Sequence, residues 1–143
     1  MRELIANHEL CIGCMKCERN CPQNAIRVYD RISLFCLHCS PEKAPCLNVC
    51  PEGAIKELGG AITIDADICI GCGMCKDVCP IGAISMDIDG LATKCDLCIN
   101  EDSQRCIDNC PTGALINDSS KIVNAKQSKF IEELKKIGVS KIP

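Results

Sequence analysis

Aromatic side chains are nearly absent. Of 143 residues only Tyr29, Phe35 and Phe130 carry a ring, and there is no tryptophan. A core built on large rings is excluded, and so is a surface that stacks on bases. Positive charge is not in excess either. Sixteen Lys and Arg face nineteen Asp and Glu, for a formal net charge of −3, which argues against a nucleic-acid partner. No apolar run approaches eighteen residues, so no membrane span is expected. The opening residues Met1 to Glu9 hold no apolar stretch with a cleavage site, and no twin arginine opens the chain; this predicts a cytoplasmic protein. Catalytic signatures are missing as well. There is no Walker loop, no haem-attachment motif and no C-x3-C-x2-C run, and Gly71-x-Gly73 lacks the third glycine of a dinucleotide fingerprint. An independent enzyme is not expected.

Cysteine is what the chain has in abundance: sixteen residues, roughly one in nine. In a reducing compartment clustered thiols point to metal and not to a disulfide scaffold. They fall into four groups with none left over. The first is Cys11, Cys14, Cys17 and Cys21, followed by Pro22. The second is Cys36, Cys39, Cys46 and Cys50, followed by Pro51. The third is Cys69, Cys72, Cys75 and Cys79, followed by Pro80. The fourth is Cys95, Cys98, Cys106 and Cys110, followed by Pro111. The last cysteines of successive groups lie 29, 29 and 31 residues apart, an internal repeat of about thirty residues.

The repeat continues past each Cys-Pro pair as x-Gly-Ala-Ile/Leu, with Asn24 in place of the first glycine. Glycine there predicts a positive φ, and asparagine tolerates the same conformation. The alanine is small enough for backbone to approach a cofactor. The proline suits the first turn of a short helix. Between groups the chain reads as short hairpins: Ala25 to Val28 with Ile32 to Phe35, Ala54 to Leu58 with Ala61 to Ile64 around Gly59-Gly60, and Ala83 to Ile88 with Leu91 to Thr93 around Asp89-Gly90. Leu115-Ile116 and Ile122-Val123 make a candidate fourth. Asn124 with Gln127, then Phe130, Ile131, Leu134 and Ile137 before Gly138, predict an amphipathic helix from about Ala125 to Ile137. Its stripe is expected to pack on the protein's own surface, with docking to a partner subunit as the alternative.

Groups one and three match the bacterial ferredoxin run C-x2-C-x2-C-x3-C-P. Three cysteines on one loop reach three irons of a cube, and the fourth points to a second cube. Four complete groups predict four [4Fe–4S] clusters. Each oxidised cluster with its thiolates carries −2, which takes the loaded protein to about −11 and predicts basic docking surfaces on its partners. The expanded groups, Cys36 to Cys50 and Cys95 to Cys110, would each pass for a zinc site if seen alone. Spacing leaves the pairing open: groups one with two and three with four, or one with four and two with three, each unite a tight and an expanded group.

Other residues carry weaker signals. His38 and His8 adjoin ligand loops whose sets are already complete, so a hydrogen bond from His38 to backbone or to cluster sulfide is expected. Lys94 either sits near a cluster and raises its potential or is solvated. Asp65 and Asp67 read as turn and cap residues. Isoleucine outnumbers leucine nearly two to one, the pattern of an AT-rich genome and in keeping with an anaerobic host.

The alternation of tight and expanded groups, Cys36-Leu37-His38-Cys39 with Pro45-Cys46, and Lys94-Cys95-Asp96-Leu97-Cys98 with Cys110-Pro111-Thr112-Gly113-Ala114 resemble the four-cluster, ferredoxin-like electron-transfer subunits of the DMSO-reductase iron–sulfur type. The resemblance runs from about Ile5 to Ile116. Relatives of that type serve formate dehydrogenases, hydrogenases, carbon monoxide dehydrogenases and 2-oxoacid oxidoreductases. It implies an α+β fold of two pseudo-symmetric ferredoxin-like lobes within residues 1–123: an outer lobe of about 1–35 plus 91–123, an inserted lobe of about 36–90, and a C-terminal helix and tail over 124–143.

The resemblance also implies the second pairing. Cluster one then takes Cys11, Cys14, Cys17 and Cys110; cluster two Cys21, Cys95, Cys98 and Cys106; cluster three Cys36, Cys39, Cys46 and Cys79; cluster four Cys50, Cys69, Cys72 and Cys75. The implied role is a non-catalytic relay of single electrons between a catalytic oxidoreductase subunit and a ferredoxin-type carrier, in a hetero-oligomer. The chain is shorter than many relatives and no C-terminal membrane anchor is read in it, so neither membrane insertion nor a membrane-bound partner through this subunit is expected. The alternatives are a free soluble polyferredoxin and, from another class, a zinc-binding or redox-sensing interaction module.

Overall fold

A computed structural model describes residues 2–138. Among the described residues five α-helices, a 3-10 turn at His8–Leu10 and eight short strands form a small α+β fold, with the strands paired two by two. Four helices are built alike. α1 (Lys16–Asn20), α2 (Pro45–Val49), α3 (Met74–Val78) and α4 (Arg105–Asp108) each carry the third cysteine of a group. The first three end on the fourth cysteine, whose ψ of 118, 115 or 116° is extended. Proline is the reason, because it pushes the residue before it out of the helical region.

The prolines therefore stand after the helices, not in their first turns as expected. In the first three repeats they open a turn closed by Asn24, Gly53 and Gly82 N–H donating to the carbonyls of Cys21, Cys50 and Cys79. Among the described prolines, Pro45 holds a helix-starting position. The positive φ expected at the turn's end is present, at 51° for Asn24 and 62 to 68° for the three glycines.

β2 (Arg27–Tyr29) pairs with β3 (Ile32–Leu34), leaving the two-residue turn Asp30-Arg31. Both turn residues have positive φ, which matches the twist of the strands. β4 (Ile55–Leu58) pairs with β5 (Ala61–Ile64) around Gly59-Gly60. β6 (Ser85–Met86) and β7 (Ala92–Thr93) are shorter than expected. Asp87 ends the ladder, because its carboxylate accepts the N–H groups of Asp89 and Leu91 and so competes with strand pairing.

The candidate fourth hairpin does not form. β8 (Leu115–Ile116) pairs instead with β1 (Ile5–Ala6), which joins the first and fourth repeats. Ile122 and Val123 belong to α5 (Ser119–Lys136). That helix starts six residues before the expected Ala125. Asp118 caps it by accepting from Ser120 N–H and Oγ, and Asn124 lies inside. Its apolar stripe does not pack on the protein's own surface. No residue of α5 is buried, and Phe130 is 56 % exposed.

The core is thin and comes in two clusters. One gathers Ile55, Ile62, Ile84, Ala92 and Cys75. The other gathers Ile26, Leu115, Cys17 and Cys106, with Phe35 packed against it. Phe35 is the single ring in either cluster, for Tyr29 and Phe130 are exposed. Cysteines line both clusters.

Candidate functional site

Each group's first two cysteines lie on a loop, the third on a helix and the fourth at or beyond that helix's end. Helix packing decides which groups meet: α1 lies against α4, and α2 against α3. Three cavities follow. Cys36, Cys39, Cys46 and Cys79 line one, together with Ile62 and Lys94. Cys50, Cys69, Cys72 and Cys75 line a second with Ile55 and Ala92. Cys21, Cys95, Cys98 and Cys106 line a third with Ile26 and Phe35. At the remaining set, Cys17 has Cys14 and Cys110 as electrostatic neighbours, and Arg31 Nε donates to the Cys11 carbonyl at 2.9 Å. All sixteen thiols are free of disulfides.

The sulfurs surround cavities and do not meet at points. Among the described residues, no three His, Cys, Asp or Glu side chains converge as a single-ion site. Burial pushes the thiols of Cys95 and Cys106 up to about 12 and raises those of Cys17, Cys46, Cys75 and Cys98. Such thiols give up protons to a strongly positive inorganic centre. At Cys110 burial acts in the same sense, but N–H groups of Leu115, Thr112 and Ala114 outweigh it and lower the pKa.

Backbone N–H groups also aim at sulfur. Ala25, Ala54 and Ala83 donate to Sγ of Cys21, Cys50 and Cys79 at 3.3, 3.3 and 3.4 Å. The alanine of the repeat thus brings a donor to the fourth cysteine in the first three groups. His38 and Leu97 N–H do the same for Cys36 and Cys95 at 3.3 and 3.4 Å. Both residues have positive φ, which turns those amides toward the preceding cysteine.

The His38 ring accepts where donation was expected: Ile62 N–H donates to Nδ1 at 3.0 Å. Burial, then the charge of Lys94, pushes its pKa down to about 3. The ring is therefore neutral, with its proton on Nε2, which is buried without a partner among the described residues. Lys94 is not solvated, at 3 % exposure. Asp65 does serve as a turn residue, its carboxylate accepting from Asp67 N–H at 3.0 Å. Arg2 had no local signal, yet its guanidinium donates to the carbonyls of Leu97, Cys98, Glu101 and Asp102 and holds the loop of the fourth cysteine group.

Comparison with known proteins agrees with this chemistry. Residues 4–27 match the 4Fe-4S binding domain family, and residues 37–88 match the LdpA Fe-S cluster-binding domain. A ferredoxin of Methanocaldococcus jannaschii is 34 % identical over 94 % of this chain and 91 % of its own length. The chain belongs to the ferredoxin family. A second ferredoxin of that organism is 32 % identical over 97 % of this chain and 86 % of its own length. The thiosulfate reductase electron transfer subunit PhsB of Salmonella typhi is 29 % identical over 78 % of this chain and 72 % of its own. Formate hydrogenlyase subunit 2 of Escherichia coli is 36 % identical over 50 % of this chain and 41 % of its own. This ferredoxin is an iron–sulfur electron-transfer protein that binds 4Fe–4S clusters. Among the described residues no helix is long and apolar enough to cross a membrane.

Proposed function

We propose that the chain holds four [4Fe–4S] clusters and relays single electrons through them, as a non-catalytic subunit between a catalytic oxidoreductase and a ferredoxin-type carrier. The observation that carries it is the grouping of thiols. Three complete quartets each line one cavity, and each unites three cysteines of one group with the last cysteine of another. A [4Fe–4S] cluster takes one thiolate on each of four irons, so its ligands must stand apart around a dry cavity. All-cysteine donors among aliphatic walls fit that need. The sets are Cys11, Cys14, Cys17 and Cys110; Cys21, Cys95, Cys98 and Cys106; Cys36, Cys39, Cys46 and Cys79; and Cys50, Cys69, Cys72 and Cys75.

Two lobes follow from these sets, an inserted one of about residues 36–90 and an outer one from the flanking segments. Core residues 46–92 cluster apart from residues 4–35 with 106–115, which supports the division. Bound clusters supply one-electron chemistry. The chain's part is to hold them, exclude water with Ile26, Ile55, Ile62 and Phe35, and tune them through the N–H donors to sulfur. Relatives whose names place them in thiosulfate reductase and formate hydrogenlyase support an oxidoreductase partner, and the reading keeps the chain in the cytoplasm, where clustered thiols stay reduced. A free carrier with several clients is the second form of the same chemistry.

Paired serine variants test the grouping. Cys50→Ser should alter the paramagnetic signature of the centre that Cys69→Ser alters, and Cys79→Ser that of the centre Cys46→Ser alters. If Cys50→Ser and Cys46→Ser alter one and the same centre, the grouping fails. Anaerobic affinity capture, followed by reduction of the captured protein with the co-purified enzyme's own substrate, tests the partner. Recovery of a loaded protein with no oxidoreductase attached favours the free carrier.

A further inference from the structure

Lys94 has no place in the ligand sets, yet it is among the most buried polar residues of the chain. It follows β7 and directly precedes Cys95. Its Nζ donates to the Ile62 carbonyl of β5 and to the Cys95 carbonyl, the latter at 2.8 Å. Its side chain also lines the cavity of Cys36, Cys39, Cys46 and Cys79. Among the described residues it forms no ion pair with a carboxylate. Two carbonyls satisfy part of its hydrogen bonding but none of its charge, and a desolvated ammonium is costly until an anion balances it.

Asp65, Asp87 and Asp96 line a neighbouring cavity with it but make no ion pair to it; the charge of Lys94 acts on Cys46 of one set and Cys95 of the other. The link is rigid: Ile62 gives its N–H to His38 in the second group's ligand loop and its carbonyl to Lys94 at the fourth group's. Building on the ligand sets proposed above, we propose that Lys94 is a fixed internal cation shared by the centre of Cys36, Cys39, Cys46 and Cys79 and the centre of Cys21, Cys95, Cys98 and Cys106. It raises the reduction potentials of both above those of the two outlying centres. Reduction adds one electron and one negative charge to a cluster, and a nearby buried cation favours the more negative form. Lys94 is thus a positioning residue for electrons: it makes the two adjoining centres the first to fill.

The test uses the loaded protein under nitrogen. Lys94→Met keeps the length and removes the charge. With iron content per chain unchanged, redox titration followed by electron paramagnetic resonance should show two centres displaced to lower potential, by tenfold or more in the reduction equilibrium, 59 mV for one electron. The other two should stay in place, and Lys94→Arg should restore most of the shift. Four unmoved midpoints, or four that move alike, overturn the proposal. A second measurement needs no change at Lys94. In the unaltered protein reduced with substoichiometric dithionite, the first two centres to fill should be those whose signals Cys46→Ser and Cys106→Ser alter. If the centres altered by Cys14→Ser and Cys72→Ser fill first, the proposal is wrong even if Lys94→Met fails to load. Iron content separates the two levels: about eight irons per chain refutes the four-cluster proposal itself, whereas about sixteen with unmoved potentials refutes the role of Lys94 alone.

Discussion

Gly71 lies between Cys69 and Cys72 at φ 73°, and a Cβ built there would stand 2.4 Å from the Gly90 carbonyl oxygen. Gly73, two residues on, has φ 76° and nothing within 4 Å of its Cβ position. The pair separates two costs. Gly73→Ala meets only the left-handed backbone penalty, about 1–2 kcal/mol. Gly71→Ala meets that penalty and an overlap with backbone. The overlap is not relieved by a side-chain rotation, and the opposing turn is braced by the Asp87 carboxylate on Asp89 and Leu91 N–H. Forcing such a contact adds about 1–3 kcal/mol. The assay is anaerobic bleaching of the visible iron–sulfur absorbance at a fixed temperature, because loss of clusters makes unfolding irreversible and its rate the proper measure. If the overlap acts fully on the unfolding rate, Gly71→Ala should bleach about five- to 150-fold faster than Gly73→Ala, and Gly73→Ala faster than the unaltered protein. Equal rates for the two variants would refute the close approach of the third ligand loop to the turn at Gly90.

Arg2→Ala removes a guanidinium from four carbonyls of the fourth ligand loop, at about 1.5–3 kcal/mol for hydrogen bonds of a charged group. It should cost the chain one cluster selectively, read as loss of about a quarter of the iron; loss spread evenly over all centres would contradict the assignment. Four bound clusters would make the loaded protein strongly acidic, so its reduction of a basic redox protein such as cytochrome c should slow as salt rises; a rate independent of ionic strength would refute that charge. The Asp118 carboxylate is held below its ordinary pKa, first by the Ser120 hydroxyl and then by the Ser120 N–H. Its contribution to α5 is present above the ordinary carboxylate range and lost as pH falls through the lowered value. The Ser120 amide resonance should report a transition below that range, and one at the ordinary value would contradict the cap.

The local turns around the cysteine groups were legible because their information is local. The glycine after each Cys-Pro pair, or Asn24, turns the chain at positive φ as its residue type demands, although in the first three groups the proline before it was read as starting a helix and ends one instead. The hairpin at Gly59-Gly60 follows from turn chemistry in the same way. What was not legible depends on distant partners. The pairing of Ile5–Ala6 with Leu115–Ile116 joins two-residue strands from opposite ends of the chain, too short to show a period. Arg2 acts on carbonyls nearly a hundred residues away, and carbonyls leave no trace in side-chain identity. The start of α5 was misplaced because Asp118, with Ser120 behind it, caps the helix before Asn124 is reached. Lys94 read equally as solvated or cluster-bound, since its surroundings come from β5 and the second group's loop.

Iron and acid-labile sulfide, counted per chain on protein loaded and handled under nitrogen, test the central claim most directly. Four [4Fe–4S] clusters on sixteen cysteines predict about sixteen of each. About eight of each, or about four zinc ions with no sulfide, would contradict it.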